Sequence, residues 1–202
     1  EPFKLPEGAE NNPFLEAITP EMRPGHYHVE VTLNQYHRSG KVRILQDPNT
    51  NNTDEDWERR WQAVLRLGGF SNSAADAADK LIQVRRDVEV VLRKLKPQDS
   101  ANPLWEMGKK LTAKLRDHEK LLWITPGSKG IVAETDVFSR IGMVHYMLLS
   151  SWQPPTPTHE IYLNQVETQL HQFLEDFNHF LEGDVAVFRK EMEAQGIRLL
   201  GD

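Results

Sequence analysis

Between Gly25 and Leu33 the chain alternates strictly. Tyr27, Val29, Val31 and Leu33 fall on one side, His26, His28, Glu30 and Thr32 on the other, and Val42 and Ile44 belong to a second alternating run. Period-two alternation marks a strand with one face covered and one wet. It predicts two antiparallel strands within 26–46, joined through the turn-prone stretch from Asn34 to Gly40, which includes Ser39. A lone hairpin is marginal in water. The pair is therefore expected to pack on other elements or to complete a sheet whose remaining strands lie elsewhere.

After Asp47-Pro48 the apolar positions step by three and four, the spacing of an amphipathic helix. Thr53, with Asp56 three residues on, reads as an N-cap, and the stripe of Trp57, Trp61 and Val64 is expected to stop at Gly68-Gly69. A second helix runs through Ala74, Leu81, Val84, Val88, Val91 and Leu95 to Lys96-Pro97. A third carries Leu104, Met107, Leu111, Leu115 and Leu122 and is broken by 125–130, and a fourth starts near Asp136 with Val137, Ile141, Val144 and Leu148 inward. Prolines over 152–158 predict an extended, polyproline-like connection. The last helix has Leu163, Val166, Leu170, Phe173, Phe177 and Phe180 in its seam, with an interruption expected at Gly183 before Val187, Phe188 and Met192. Such seams bury their stripes against one another at shallow angles. The expected fold class is mainly α: a β-hairpin segment in residues 1–47, then an antiparallel bundle of four to five helices over 48–202.

Composition narrows the function classes. With 24 basic and 30 acidic residues the net charge is −6, so the chain as a whole lacks the electrostatic footprint of a phosphate-backbone binder, and nucleic acid is not an expected partner. The absence of cysteine removes disulfides, thiolate metal sites and a thiol nucleophile. No apolar run approaches the roughly 18 residues of a membrane-spanning helix.

Oxygen-bearing side chains from Asp47 to Glu58 fall at the spacing of a calcium loop, which makes Asp47, Asn49, Asn51 and Glu58 candidate calcium ligands. Asn52, however, stands where such loops need glycine, and a strand rather than a helix precedes. The competing reading is an Asn-rich turn that caps a helix. His171, Glu175 and His179 share one helical face, but it lies opposite the apolar seam, so a solvated face is the expectation there. His26 and His28 read as exposed strand positions, and His118 and His145 as packed side chains beside apolar stripes. No nucleophile elbow, zinc-protease, P-loop or dinucleotide motif occurs, and the carboxylates are dispersed along polar helix faces. No catalytic residue is therefore assigned.

The string Gly25-His26-Tyr27-His28-Val29-Glu30-Val31-Thr32-Leu33, followed by Val42, Ile44 and Asp47-Pro48, resembles the G-x-Y-x-V-x-L hairpin and closing Asp-Pro-Arg near the C-terminus of large secreted bacterial sortilin-like proteins. These carry an N-terminal β-propeller of BNR or Asp-box repeats and are often labelled glycosyl hydrolases. Asn49 replaces the usual Arg, Asn34-Gln35 replaces the usual Asp-Gly, and no Asp-box occurs in this chain. The resemblance implies that the hairpin is the edge of an immunoglobulin-like sandwich. It further implies a non-catalytic C-terminal accessory module, secreted, periplasmic or at the cell surface, packed on an upstream propeller or sandwich domain or a partner subunit.

Overall fold

The computed structural model describes residues 3–6, 19–95, 102–123 and 136–197. The helix end expected at 96–97 and the break at 125–130 lie outside the described residues. Within them the protein is a β-hairpin followed by a helical bundle, as the change of period at Asp47-Pro48 predicts.

The hairpin pairs β1 (Gly25–Leu33) with β2 (Tyr36–Ile44), antiparallel, with Tyr27 opposite Val42 and Val31 opposite Arg38. The connection is shorter than the expected 34–40. Asn34 and Gln35 alone make the turn, and Ser39 and Gly40 lie inside β2 opposite Glu30 and Val29. Tight hairpin turns need a residue with positive φ; Asn34 provides it at 52°, in the left-handed region that Asn tolerates.

Helix α1 (Asp54–Lys94) begins in a reciprocal capping box: Thr53 Oγ1 accepts from the Asp56 backbone N–H at 3.1 Å, and the Asp56 carboxylate accepts from the Thr53 N–H at 3.0 Å. That N–H, with Arg59 and the Thr53 hydroxyl, holds the Asp56 carboxyl down to about 2. The box therefore contributes fully above the ordinary carboxylate range and is lost as pH falls toward about 2.

The expected stop at Gly68-Gly69 does not occur; α1 runs through both glycines as one helix of 41 residues. A mid-helix glycine costs only about 1 kcal/mol relative to alanine, which buried neighbours such as Leu67, Ala74 and Leu81 readily offset. Gly68 has a packing reason to be glycine, because a Cβ there would lie 2.1 Å from the ring of Phe3. Residues Phe3–Pro6 lie along α1: Asn72 Oδ1 accepts from the Lys4 N–H at 2.7 Å, the Ser71 hydroxyl donates to the Lys4 carbonyl at 3.2 Å, and the Lys4 ammonium meets Asp76 at 2.7 Å. Gly69 is exposed with open space around its missing Cβ. Gly69→Ala should therefore raise stability by about 0.5–1 kcal/mol, whereas Gly68→Ala should yield less because Phe3 must leave. Urea midpoints of the two variants check this, and equal gains would contradict the packing role of Phe3.

Helix α2 (Pro103–Leu122) starts with Asn102 as N-cap and proline in its first turn. In α3 (Val137–Leu149) the buried Asp136 caps the first turn through the Ser139 N–H at 2.9 Å. The segment read as extended over 152–158 turns helical earlier than expected. Thr156 is the N-cap and Pro157 the first residue of α4 (Pro157–Phe180), a position where the missing proline N–H costs nothing. The interruption expected at Gly183 is instead a single π turn, Leu181–Val185, leading without a break into α5 (Ala186–Ala194). The wider turn inserts one residue, so that Val185, Phe188 and Met192 extend the buried seam of Phe173, Phe177 and Phe180, while Val187 points outward, 57% exposed. Gly196, at φ 68°, closes α5 in a Schellman motif: the Ile197 N–H bonds to the Met192 carbonyl and the Gly196 N–H to that of Glu193.

Helix α1 packs on α2, α3 and α4, and α3 on α4. One continuous core results, with Leu67, Leu81, Val91, Leu104, Leu115 and Leu163 at or near zero exposure. At the α1–α2 crossing Gly108 lets Leu92 approach: a Cβ would meet the Leu92 side chain at 2.8 Å. None of the described helices is long and apolar enough to cross a membrane.

Candidate functional site

The surface feature that the bundle leaves unused is the hairpin. Its register gathers Tyr27, Val29, Val31 and Leu33 from β1 with Tyr36, Arg38, Gly40 and Val42 from β2 on one mainly apolar face, and His26, His28, Glu30, Thr32, His37, Ser39, Lys41 and Arg43 on the other. Both faces are open to solvent. Val31 is 60% exposed, Leu33 68% and Tyr36 62%, values belonging to a sheet with no second layer over it. On the polar face Thr32 Oγ1 and His37 Nδ1 lie 3.0 Å apart across the strands.

Among the described residues the hairpin is anchored at its base. The Tyr27 hydroxyl donates to the Arg23 carbonyl at 2.7 Å; the Arg23 guanidinium pairs with Glu58 and lies over Trp61. On the β2 side Gln46 accepts from the Trp57 indole N–H at 3.1 Å and donates to the Thr50 carbonyl at 2.8 Å. Between these anchors opens a cleft of about 620 Å³ lined by Arg23, Tyr27, Arg43, Gln46, Asp54 and Trp57 among others. Its described lining holds Asp54 as the one carboxylate, with His26 and Tyr27 beside the two arginines.

Three of the candidate calcium ligands, Asp47, Asn49 and Glu58, have other partners. Asp47 Oδ1 accepts from the Asn49 N–H and Nδ2, at 2.8 and 2.9 Å, while the Asp47 carbonyl accepts from the Thr50 N–H and hydroxyl. This is an Asx-type turn. Asn51 is exposed. Glu58 lies past the first turn of α1, held by Arg23 and accepting from Gln62. The structure thus brings Asp47 and Asn49 together and gives Glu58 to the hairpin's base, so a cation bound by all four would have to displace both arrangements. His171, Glu175 and His179 are exposed on α4. Among the described residues no three His, Asp or Glu side chains are grouped to hold a metal ion.

Two features escape sequence reasoning. The first is the hairpin's charge: residues 23–46 carry Arg23, Arg38, Lys41 and Arg43 against the single acid Glu30, a basic segment in a chain of net −6. Counting charge by segment rather than over the whole chain reveals it. The second is Arg60, 4% exposed, whose guanidinium donates to the carbonyls of Leu148 and Ser151 and meets the Glu21 carboxylate at 3.0 Å. No local signal marks it. Comparison with protein-family models, curated proteins and solved structures finds no match to this chain.

Proposed function

We propose that the chain is a non-catalytic interaction module in which the helical bundle is the scaffold and the hairpin is the docking element. In this reading it is the C-terminal accessory part of a secreted, periplasmic or cell-surface sortilin-like protein. The hairpin then completes a sheet of an upstream sandwich or propeller domain, or of a partner subunit. The observation that carries the proposal is the amphipathic hairpin with its apolar face in water, since a sheet that evolved to stand alone has no use for Val29, Val31, Leu33 and Tyr36 on one side. The bundle supports it: the polar side chains buried among the described residues are Arg60, Ser71 and Asp136, and each is engaged in holding backbone together.

Hydrogen exchange tests the docking role. In the isolated monomer, residues 27–33 and 41–45 should exchange far faster than the middle of α1, and a partner should slow them. Full protection of the hairpin in a monomer would sink the reading. The non-catalytic part has its own test: the purified chain should show no turnover of glycan or peptide substrates. Reproducible hydrolysis, abolished by changing one of its own acidic or histidine residues, would overturn it.

A further inference from the structure

We infer that the pairing edge of the hairpin is the outer edge of β1, not of β2, and that its occupant is an extended acidic strand belonging to a partner β-sheet. The inference rests on the interaction-module reading and adds to it the edge and the partner's chemistry.

The two edges are not equivalent. β2 carries Arg38, Lys41 and Arg43 and a central Gly40, the kinds of residue with which proteins discourage strand addition. β1 has one charged residue, Glu30, and is otherwise rich in Val, Thr and Tyr, residues that favour a pleated sheet. The two-residue turn closes on the Leu33–Tyr36 pair. Because antiparallel bonding alternates, Leu33, Val31, Val29 and Tyr27 spend their backbone groups on β2, and the N–H and C=O groups of His26, His28, Glu30 and Thr32 point outward. Those four open residues are the template for a further strand.

Charge selects the strand. Lys41 and Arg43 form no ion pair among the described residues, and on the polar face Lys41 stands opposite His28 and Arg43 opposite His26, while Arg38 lies on the other face opposite Val31. A strand added to β1 lies about 10 Å from β2, within reach of extended Lys41 and Arg43 side chains meeting Asp or Glu placed opposite His26 and His28, whereas the position opposite Glu30 favours a neutral residue. A second copy fits poorly. Pairing β1 with the β1 of another copy brings Glu30 as its single acid and a second set of the same cations, so it leaves Lys41 and Arg43 without partners. A sheet that takes the β1 edge and also lays a second layer on Val29, Val31, Leu33 and Tyr36 covers both exposed features. Nucleic acid would engage the cations and leave that apolar face in water.

The test is amide exchange by NMR on the intact chain with three probes: the nine-residue peptide Val-Thr-Val-Thr-Val-Asp-Val-Asp-Val (the Val/Asp peptide), which in antiparallel pairing sets Asp opposite His26 and His28, the same peptide with Lys for Asp, and a short DNA duplex. The Val/Asp peptide should slow the amides of His26, Glu30 and Thr32 saturably by about tenfold or more, and the Val/Lys peptide should not. His28→Pro removes one outward N–H while sparing the β1–β2 ladder and should abolish the effect; Ser39→Pro, outward on β2, should leave it intact. Reversing charge with Lys41→Glu and Arg43→Glu should switch the preference to the Val/Lys peptide, which tests the idea even if His28→Pro unfolds the hairpin. Protection along β2, equal response to both peptides, or a response to the duplex alone overturns the inference. An unprotected hairpin that answers no probe defeats this inference alone, whereas a hairpin fully protected without any probe defeats the interaction-module reading beneath it.

Discussion

Arg60→Ala should lower the stability of the protein by about 2–4 kcal/mol, read as a fall in the urea midpoint. Arg60 sits on the first turns of α1 yet serves two other parts of the chain. Its guanidinium donates to the carbonyls of Leu148 and Ser151 at the end of α3, where helix geometry leaves carbonyls without intrahelical donors, and it pairs with Glu21 ahead of the hairpin. It also lies 5.5 Å from the ring centroid of Trp152, which meets Trp57 edge-on at 6.1 Å. Truncation leaves the buried Leu148 carbonyl without this donor and frees the segment leading into β1. Arg60→Lys keeps a charge but not the planar fork, so it should recover only part of the loss. Glu21→Gln should cost less than about 1 kcal/mol, because that carboxylate is 39% exposed. An unchanged midpoint in Arg60→Ala would mean that the contacts contribute nothing net.

The order of effects in this set explains what the sequence could and could not disclose. The capping box at Thr53 and Asp56, the α4 seam through Phe177 and the alternation of β1 were legible because each is decided within a few residues of itself. The passage of α1 through Gly68-Gly69 was not, because the buried neighbours that offset the two glycines, and the ring of Phe3 against Gly68, come together only in the folded chain. The prolines over 152–158 predict a connection, yet Pro157 starts a helix; proline suits both places, and Thr156 as N-cap decides between them. At the end of the chain the next seam residue after Phe180 is Val185, five positions on, which fits neither a three- nor a four-residue step unless the helix widens into a π turn. For the candidate site, the apolar alternation was plain. The local basic charge was diluted in a whole-chain balance of −6, and Arg60 was invisible because its partners lie far from it in sequence.

Phe177→Ala should cost about 3–5 kcal/mol and, at the same time, flatten the dependence of stability on pH. Phe177 is 2% exposed, stacked between Phe173 at 5.6 Å and Phe180 at 6.2 Å, and the three rings surround the imidazole of His118 on α2, whose centroid lies 4.9 Å from that of Phe180. His118 Nδ1 is buried without a hydrogen-bond partner. Burial among these rings pushes the imidazole below its ordinary value of 6.5; Asp176, Asp117 and Asp184 pull it partly back, and Lys114 opposes them. The sign follows from which state takes up the proton first. Above 6.5 the imidazole is neutral in both states and the fold keeps its full stability. As pH falls below 6.5 the unfolded chain binds a proton that the folded chain resists, so stability is lost through that window until the folded imidazole also titrates. Thermal melts between pH 7.5 and 5 should show the midpoint falling with pH in the native protein. His118→Leu, which keeps the site apolar, should lose most of that slope while remaining stable. Phe177→Ala opens the cage to water, restores the imidazole toward its ordinary value and should weaken the slope for the opposite reason, at a large cost in packing. A slope in His118→Leu equal to that of the native protein would assign the pH dependence to other groups and leave the Phe173, Phe177 and Phe180 cluster a purely steric role.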